Sequence, residues 1–310
     1  MKTIKFYEKR HIYFIISGLI FLAGIVAIFI NGVQLDIQFK GGAILKYSFA
    51  GTIDHDKVSS TVEDTLNRLV DVQESSDLST DAKRLVLNLA GDYGLSGEEQ
   101  TKLDTALKAA FPDNSLSLQE TSLVEPFFGH RFLRNGILAL VLSSVLIVLY
   151  VWLRFRRING LSAGVMALVS LFHDVLVVFF TCVIFKIPLG DSFIAVALTI
   201  LGYSINDTIV IYDRIRENAR LNAHQPAEEL INRSISQSLT RSIYTNLCVT
   251  VSILLVYVFA VAGSIDSIQS FALPMVIGSI SGCYSTICIA GPLWAMWQKH
   301  KERKRNALVA

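Results

Sequence analysis

Charge is scarce in this chain. Only 17% of its 310 residues are Asp, Glu, Lys or Arg, 52% are hydrophobic, and the mean hydropathy is +0.48. That shortage excludes an ordinary soluble domain and points to a membrane protein. Cysteine is nearly as rare: Cys182, Cys248, Cys283 and Cys288 all fall within apolar stretches, with no C-x-x-C pair and no cluster of histidines. They read as small buried apolar residues rather than metal ligands or disulfides. The phosphate-binding pattern G-x-x-x-x-G-K-S/T is missing, which leaves no visible ATP site. No H-E-x-x-H metal motif is present, and no G-x-S-x-G elbow with a nucleophile and base in order is evident. The chain is therefore expected not to be an enzyme, and to have no cofactor, no metal and no nucleic-acid partner.

What the chain does have is six apolar runs of membrane-spanning length. They cover Ile12 to Ile30, Gly136 to Leu153, Leu161 to Phe185, Phe193 to Tyr212, Ile243 to Ala262 and Phe271 to Trp297. The first follows Lys2, Lys5, Lys9 and Arg10, as a signal peptide would, but it is longer than a signal core. It also lacks an A-x-A site before Asn31 and Gly32, so an uncleaved span is expected. Basic residues gather before the first span, at Arg154, Arg156 and Arg157, between Arg214 and Arg241, and in the tail from Lys299 to Arg305. The short connections around Pro188 and Asp266 are poor in them. The positive-inside rule then puts both termini in the cytoplasm and residues 32–134 outside a cytoplasmic membrane.

That external segment has the length of a small domain. Strand patterns at Ala43 to Phe49, Val70 to Glu74, Arg84 to Ala90 and Ser115 to Thr121 alternate with helical spacing at Asp56 to Leu69 and Glu98 to Phe111. The order β-α-β-β-α-β predicts a ferredoxin-like α+β fold. Before it, Lys40-Gly41-Gly42 reads as a tight turn. The expected division is residues 1–31 for the N-terminus and first helix, 32–134 for the external domain, 135–298 for helices two to six, and 299–310 for a basic tail.

Several polar groups interrupt the spans. A carboxylate at the centre of a membrane helix costs about 2.5–3.5 kcal/mol on insertion scales, so Asp207 within 193-FIAVALTILGYSINDTIVIYDRIREN-218 is the leading candidate for function. Three- and four-residue spacing puts Tyr203, Ser204, Asp207 and Ile211 on one face, with Asn206 adjacent. His173 and Asp174 fall near the middle of the third span. Because neighbouring helical residues point about 100° apart, the two cannot squarely face the same neighbour, and one could turn toward a partner chain while the other faces this chain's own bundle. In 240-TRSIYTNLCVTVS-252, Arg241 has a depth comparable to Asp207, with Thr245 on its face and Asn246 and Thr250 continuing a polar stripe. Gly278, Ser281, Gly282 and Ser285 form a small-residue stripe that reads chiefly as packing. An isolated acid here would read equally as a static ion pair. His173, Asp174, Asn206, Asp207 and Arg241 across three spans favour proton or ion handling.

These segments resemble the SecF family, the smaller subunits of the SecD–SecF accessory complex of bacterial protein export. The likeness rests on 124-VEPFFG-129, Arg154 with Phe155, 173-HD-174, 201-LGYSINDTIVIYDRIREN-218 and 269-QSFALPMVIGSISGCYSTICIAGPL-293, and it covers essentially the full length. The chain departs from the family pattern at 36-DIQFKGGA-43, which has an extra residue and no threonine. It departs again at 241-RSIYTN-246, which keeps Arg241 and Thr245 but displaces the asparagine. The resemblance implies a six-helix half-bundle of the resistance–nodulation–division superfamily that pairs with a SecD-like subunit. It also implies a role beside the SecYEG channel, using the proton-motive force to help draw a preprotein outward, in contact with membrane lipid. On matching positions Asp207 would be the proton-responsive acid and Arg241 its basic partner, with His173 and Asp174 in a second motif. Desolvation and a nearby guanidinium act on such an acid in opposite directions, which suits a group that titrates in a cycle. The rival readings are a small-molecule or lipid exporter of the same superfamily, which usually fuses two such halves, and a motor-free scaffold for SecD.

Overall fold

A backbone surrounded by lipid has no water to bond, so each apolar run closes its hydrogen bonds within a helix. The computed structural model describes residues 3–36, 42–68, 70–77, 82–90, 95–124, 126–222, 225–263 and 265–309. Among them are six helices long and apolar enough to cross a membrane. Five are α1 (Arg10–Asn31), α4 (Pro126–Arg154), α5 (Gly160–Ile184), α6 (Asp191–Leu221) and α7 (Ala227–Ala262). The sixth span is compound: α8 (Asp266–Ser285), a π-helical turn (Thr286–Ala290) and α9 (Gly291–Val309).

The spans do not contribute equally. The membrane portions of α5, α6 and the compound sixth span are at least half buried, whereas those of α1, α4 and α7 are mostly exposed. Small residues allow the inner helices to touch. A side chain at Gly24 of α1 would collide with the Phe180 ring of α5, and one at Gly278 of α8 with Val178 and Ile200.

Two helices run well past their predicted ends. The apolar spans were expected to stop at Tyr212 and to restart at Ile243, yet α6 continues to Leu221 and α7 begins at Ala227. These extensions are amphipathic. Ile211, Tyr212 and Ile215 pack with Leu230, Ile231 and Ile235, so the helix persists where hydropathy alone sees only charge. The N-terminal segment lies against them, its Ile4 and Tyr7 amides donating to Ser236 Oγ and Asn232 Oδ1, both at 2.9 Å.

Between α1 and α4 lies a small α+β unit. It comprises β1 (Gly42–Phe49), α2 (His55–Leu66), β2 (Val70–Asp77), β3 (Ala82–Ala90), α3 (Gly97–Ala110) and β4 (Ser117–Val124). Its sheet order is β2-β3-β1-β4, antiparallel throughout, with Leu45 opposite Leu87 and Thr121. Alternation puts Leu45 and Tyr47 of β1 and Leu85, Leu87 and Leu89 of β3 on one face. There they are buried against Val58 and Val62 of α2 and Leu103 and Leu107 of α3. Of the expected Lys40-Gly41-Gly42 turn, Lys40 and Gly41 lie outside the described residues, and Gly42 begins β1. Just before it, Asp36 N donates to Leu189 O at 3.0 Å and Leu189 N to Gln34 O at 2.8 Å, pinning the chain that leaves α1 to the α5–α6 connection.

Helix α3 starts with a capping box, in which Ser96 Oγ accepts from Glu99 N at 3.3 Å and Glu99 Oε2 accepts from Ser96 N at 2.9 Å. That backbone bond, with the Ser96 hydroxyl, holds the Glu99 carboxyl below the usual carboxylate range. A lowered acid stabilises the fold above its unfolded pKa, and that contribution fades as pH falls through the lowered value. Ser96→Ala is expected to destabilise α3 by about 1 kcal/mol, read as faster amide hydrogen exchange over Gly97–Ala110 at neutral pH. The difference from wild type should shrink in acid.

Candidate functional site

Asp174 is fully buried in the middle of α5, where an uncompensated carboxylate would be very costly. Four donors meet it. Ser281 Oγ and His173 Nδ1 reach Oδ1 at 2.7 and 3.2 Å; Ser204 Oγ and Ser285 Oγ reach Oδ2 at 2.7 and 2.6 Å. A carboxylate has about four acceptor sites, so this set saturates it. The donors come from α5, α6 and α8, and one acid therefore ties the three most buried spans together.

Both His173 and Asp174 turn inward, which corrects the expectation that one of them could face a partner chain. The reason is the position of α5, which packs against α1, α4, α6 and α8, so two directions 100° apart both meet protein. The His173 ring lies between Phe21 and Tyr284, with centroids 5.2 and 5.9 Å away. Its Nε2 is buried without a hydrogen-bond partner among the described residues. Tyr284 OH in turn donates to Tyr13 O at 2.6 Å.

Asp207, one turn along α6 from Ser204, is also buried. Among the described residues it accepts one side-chain hydrogen bond, from Asn246 Nδ2 of α7, and Asn246 also donates to Ser242 O at 3.2 Å. Among the described residues no ion pair joins Asp207 to Arg241, so the expected direct pairing is not made, although Arg241 lies within electrostatic reach of Asp207. Arg241 is exposed and lines a polar groove of about 560 Å³ with Asp213, Arg214, Arg220 and Gln237. The geometry of α7 explains the difference. Asn246 is five residues beyond Arg241, about 140° around the helix, and it shares the inward face with Ser242. Thr245 and Asn206 are exposed as well, as is Tyr203, which was expected on the face of Asp207. The structure thus brings Asp174, His173 and Asp207 inside. It leaves Arg241, Thr245 and Asn206 on the open side of α6 and α7.

The remaining polar groups continue the network. Thr208 Oγ1 and Thr286 Oγ1 are 3.0 Å apart, and Thr250 Oγ and Ser279 Oγ 2.9 Å apart. Ser281 and Ser285 were read as packing residues; in the structure they are ligands of a carboxylate. The hydroxyls four apart were visible in the sequence, but a helical serine can also donate to its own backbone, as Ser285 does to Gly282 O at 3.2 Å, so the carboxylate acceptor emerges only from the fold. Gly282 does match the packing reading, because a Cβ there would meet Ser204 Cβ at 3.2 Å.

The expected absence of G-x-S-x-G also needs correcting, since 160-GLSAG-164 spells it. Ser162 opens a helix after a 3-10 turn (Arg156–Ile158) rather than a strand-to-helix elbow. Its hydroxyl donates to Asn159 O at 2.8 Å and accepts from Gln298 Nε2 at 3.2 Å, so neither bond supplies a base.

With this geometry in place, comparison with known proteins decides the family. Residues 102–300 match the model for the protein export membrane protein SecD/SecF, C-terminal. The chain belongs to the SecD/SecF family of protein export membrane proteins. It is 30% identical to the protein translocase subunit SecF of Alicyclobacillus acidocaldarius over 302 residues, covering 94% of this chain and 92% of that one. It is also 30% identical to the protein translocase subunit SecDF of Bacillus subtilis over 307 residues, which is 97% of this chain but only 39% of that longer one. The crystal structure of a Thermus SecDF, a translocon-associated membrane protein, superposes with a TM-score of 0.79 at 27% identity, over 96% of this chain and 39% of that one.

The serine ligands of Asp174 can be tested directly. Ser281→Ala and Ser285→Ala should each lower stability by about 1–3 kcal/mol, because each strips a donor from a buried acceptor. Denaturant unfolding of the purified protein in detergent reads the loss. Adding Asp174→Asn to the double variant should recover part of it, since a neutral amide needs fewer donors.

Proposed function

We propose that this chain is a SecF-type subunit of the bacterial Sec export machinery. In this reading it pairs with a SecD-like subunit and couples the proton-motive force to preprotein movement through a SecYEG channel. The names of its relatives support the export role. The SecDF relatives support the pairing, because this chain matches 39–40% of their length and leaves room for a second half. We place the protein in the cytoplasmic membrane with both termini inside, following the basic loops. Residues 32–134 then form a ferredoxin-like domain on the outer side, a reading supported by the β2-β3-β1-β4 antiparallel order. Residues 135–298 carry the remaining helices, and 299–310 a basic tail inside.

The observation that carries the coupling role is the contrast between the two buried acids. Asp174 is saturated with donors and acts as an anchor. Asp207 accepts one side-chain hydrogen bond among the described residues, and it lies beside the open face that exposes Asn206, Arg241 and Thr245. A SecD-like subunit covering that face would enclose Arg241 and strengthen the pull that its charge already exerts on Asp207. Protonation of Asp207 would then weaken its hold on Asn246 and on any cation nearby, and the α6–α7 contact would have two arrangements. Each proton moved through a potential of 100 mV supplies about 2.3 kcal/mol, enough to bias such a two-state contact. The outer domain would serve as the lever that holds or releases emerging polypeptide.

Asp207→Asn is expected to abolish proton-motive-force stimulation of preprotein export into inverted vesicles, to the level of vesicles lacking this subunit. Co-purification with the SecD-like partner should be retained. Undiminished stimulation in that variant would overturn the coupling role while leaving the export assignment standing.

A further inference from the structure

The basic residues at the end of the bundle that bears both termini divide into two groups. On the α6–α7 side several are paired with carboxylates: Arg154 and Arg216 contact Asp213 at 3.4 and 2.8 Å, Arg214 contacts Glu217 at 2.6 Å, and Lys299 pairs with Glu228, while Arg220 and Arg241 line the polar groove with no ion pair among the described residues. On the opposite side α4 ends and α5 and α9 meet. Arg156, His300, Lys301 and Lys304 rim a pocket of about 720 Å³. Among the described residues none of the four has a carboxylate partner, and Lys301 Nζ donates only to Asn159 Oδ1, at 3.2 Å.

The walls of this pocket are aromatic and apolar. Two of the three tryptophans, Trp152 and Trp297, flank it and are 43% and 49% exposed, which is where rings sit at a lipid headgroup boundary. The third, Trp294, is buried and donates to Ile158 O at 3.3 Å. Trp152 also closes the top of a second cavity, an almost wholly apolar cleft of about 900 Å³ between α4 and α5. Along α5, Leu161 and Val165 line the basic pocket, and Val169 and Phe172 line the cleft below. These residues recur at three- and four-residue intervals, so a single exposed stripe runs from the cations down into the apolar region.

We propose that this composite groove is a binding site for one anionic diacyl phospholipid. Its phosphate lies among Arg156, Lys301 and Lys304, its glycerol lies between Trp152 and Trp297, and its acyl chains occupy the α4–α5 cleft. Charge complementarity selects the occupant. A zwitterionic lipid would fill the cleft but carry its own ammonium group in among the cations beside its phosphate, and a soluble anion would satisfy the cations but leave the cleft empty. Basic pockets between membrane helices take acidic lipid headgroups for this reason. The first turn of α5, which no side chain caps, adds its backbone N–H groups to the same rim. The site depends on the membrane placement of the spans and not on proton coupling at Asp207, which lies on the other side of α6.

Tryptophan quenching by lipids with brominated acyl chains tests this, using the full chain in phosphatidylcholine nanodiscs. Brominated phosphatidylglycerol at low mole fraction should quench more strongly than brominated phosphatidylcholine at the same fraction. Arg156→Gln with Lys304→Gln should reduce the apparent preference by about fivefold for each cation removed. Arg303→Gln with Arg305→Gln, exposed tail positions that do not line the pocket, should leave it unchanged. Equal quenching by the two lipids would overturn the site. So would an equal loss in the Arg303/Arg305 variant, which would mean diffuse attraction to the tail. Complete reversal by excess inorganic phosphate would show an anion site without a lipid.

Discussion

A carboxylate deep among helices imposes a geometric demand that few other groups do, because each of its lone pairs must find a donor in a region without bulk water. Asp174 meets the demand with three hydroxyls and an imidazole drawn from three helices. The spacing of the bundle follows. Ser204 and Ser285 share one oxygen, so α6 and α8 must both come within hydrogen-bond reach of the same point on α5. Glycines at 278 and 282 make that approach sterically open. Apolar packing alone would tolerate sliding or rotation of these helices by a fraction of a turn. A four-fold polar anchor does not, because small shifts leave a donor or acceptor unpaired.

Asp207 has the opposite design. It sits one helical turn from Ser204, near enough for the anchor to fix its backbone, yet its own oxygens are lightly bonded and it lies beside the exposed Asn206, Arg241 and Thr245. A rigid point thus stands beside a loosely held acid, which is the arrangement that the proposed coupling role requires. The exposed membrane part of α7 fits the same scheme: this half-bundle is built to be covered.

Much of this architecture could be read from the residues. Span positions follow from hydropathy, and the small domain's element order follows from the alternation in 84-RLVLNLA-90 and the helical spacing of Val58, Val62, Leu103 and Leu107. Three features escaped that reading for physical reasons. The continuations of α6 and α7 are amphipathic, and a criterion of uniform apolarity stops at their first charges. The inward turn of both His173 and Asp174 depends on how many neighbours surround α5, a tertiary property with no local signature. The choice of Asn246 over Arg241 as the donor to Asp207 depends on helical phase, since five residues carry a side chain most of the way to the other face. Serines 281 and 285 lay between these cases: their positions were visible, but only the fold names the acceptor.

The π-helical turn at Thr286–Ala290 separates two halves of the last span that answer to different neighbours. Upstream, Ser281 and Ser285 address Asp174; downstream, Trp294 and Gln298 address the start of α5 through Ile158 O and Ser162 Oγ. A turn of this kind accommodates one residue beyond the α-helical count and so advances the following face by about 100°. The sixth span therefore works as two rulers joined out of phase, one indexed to the Asp174 anchor and the other to the 3-10 turn and first residues of α5. Any relaxation of that wide turn into ordinary α-helix would rotate one ruler against the other, turning a local change in winding into a twist between the two levels of the bundle.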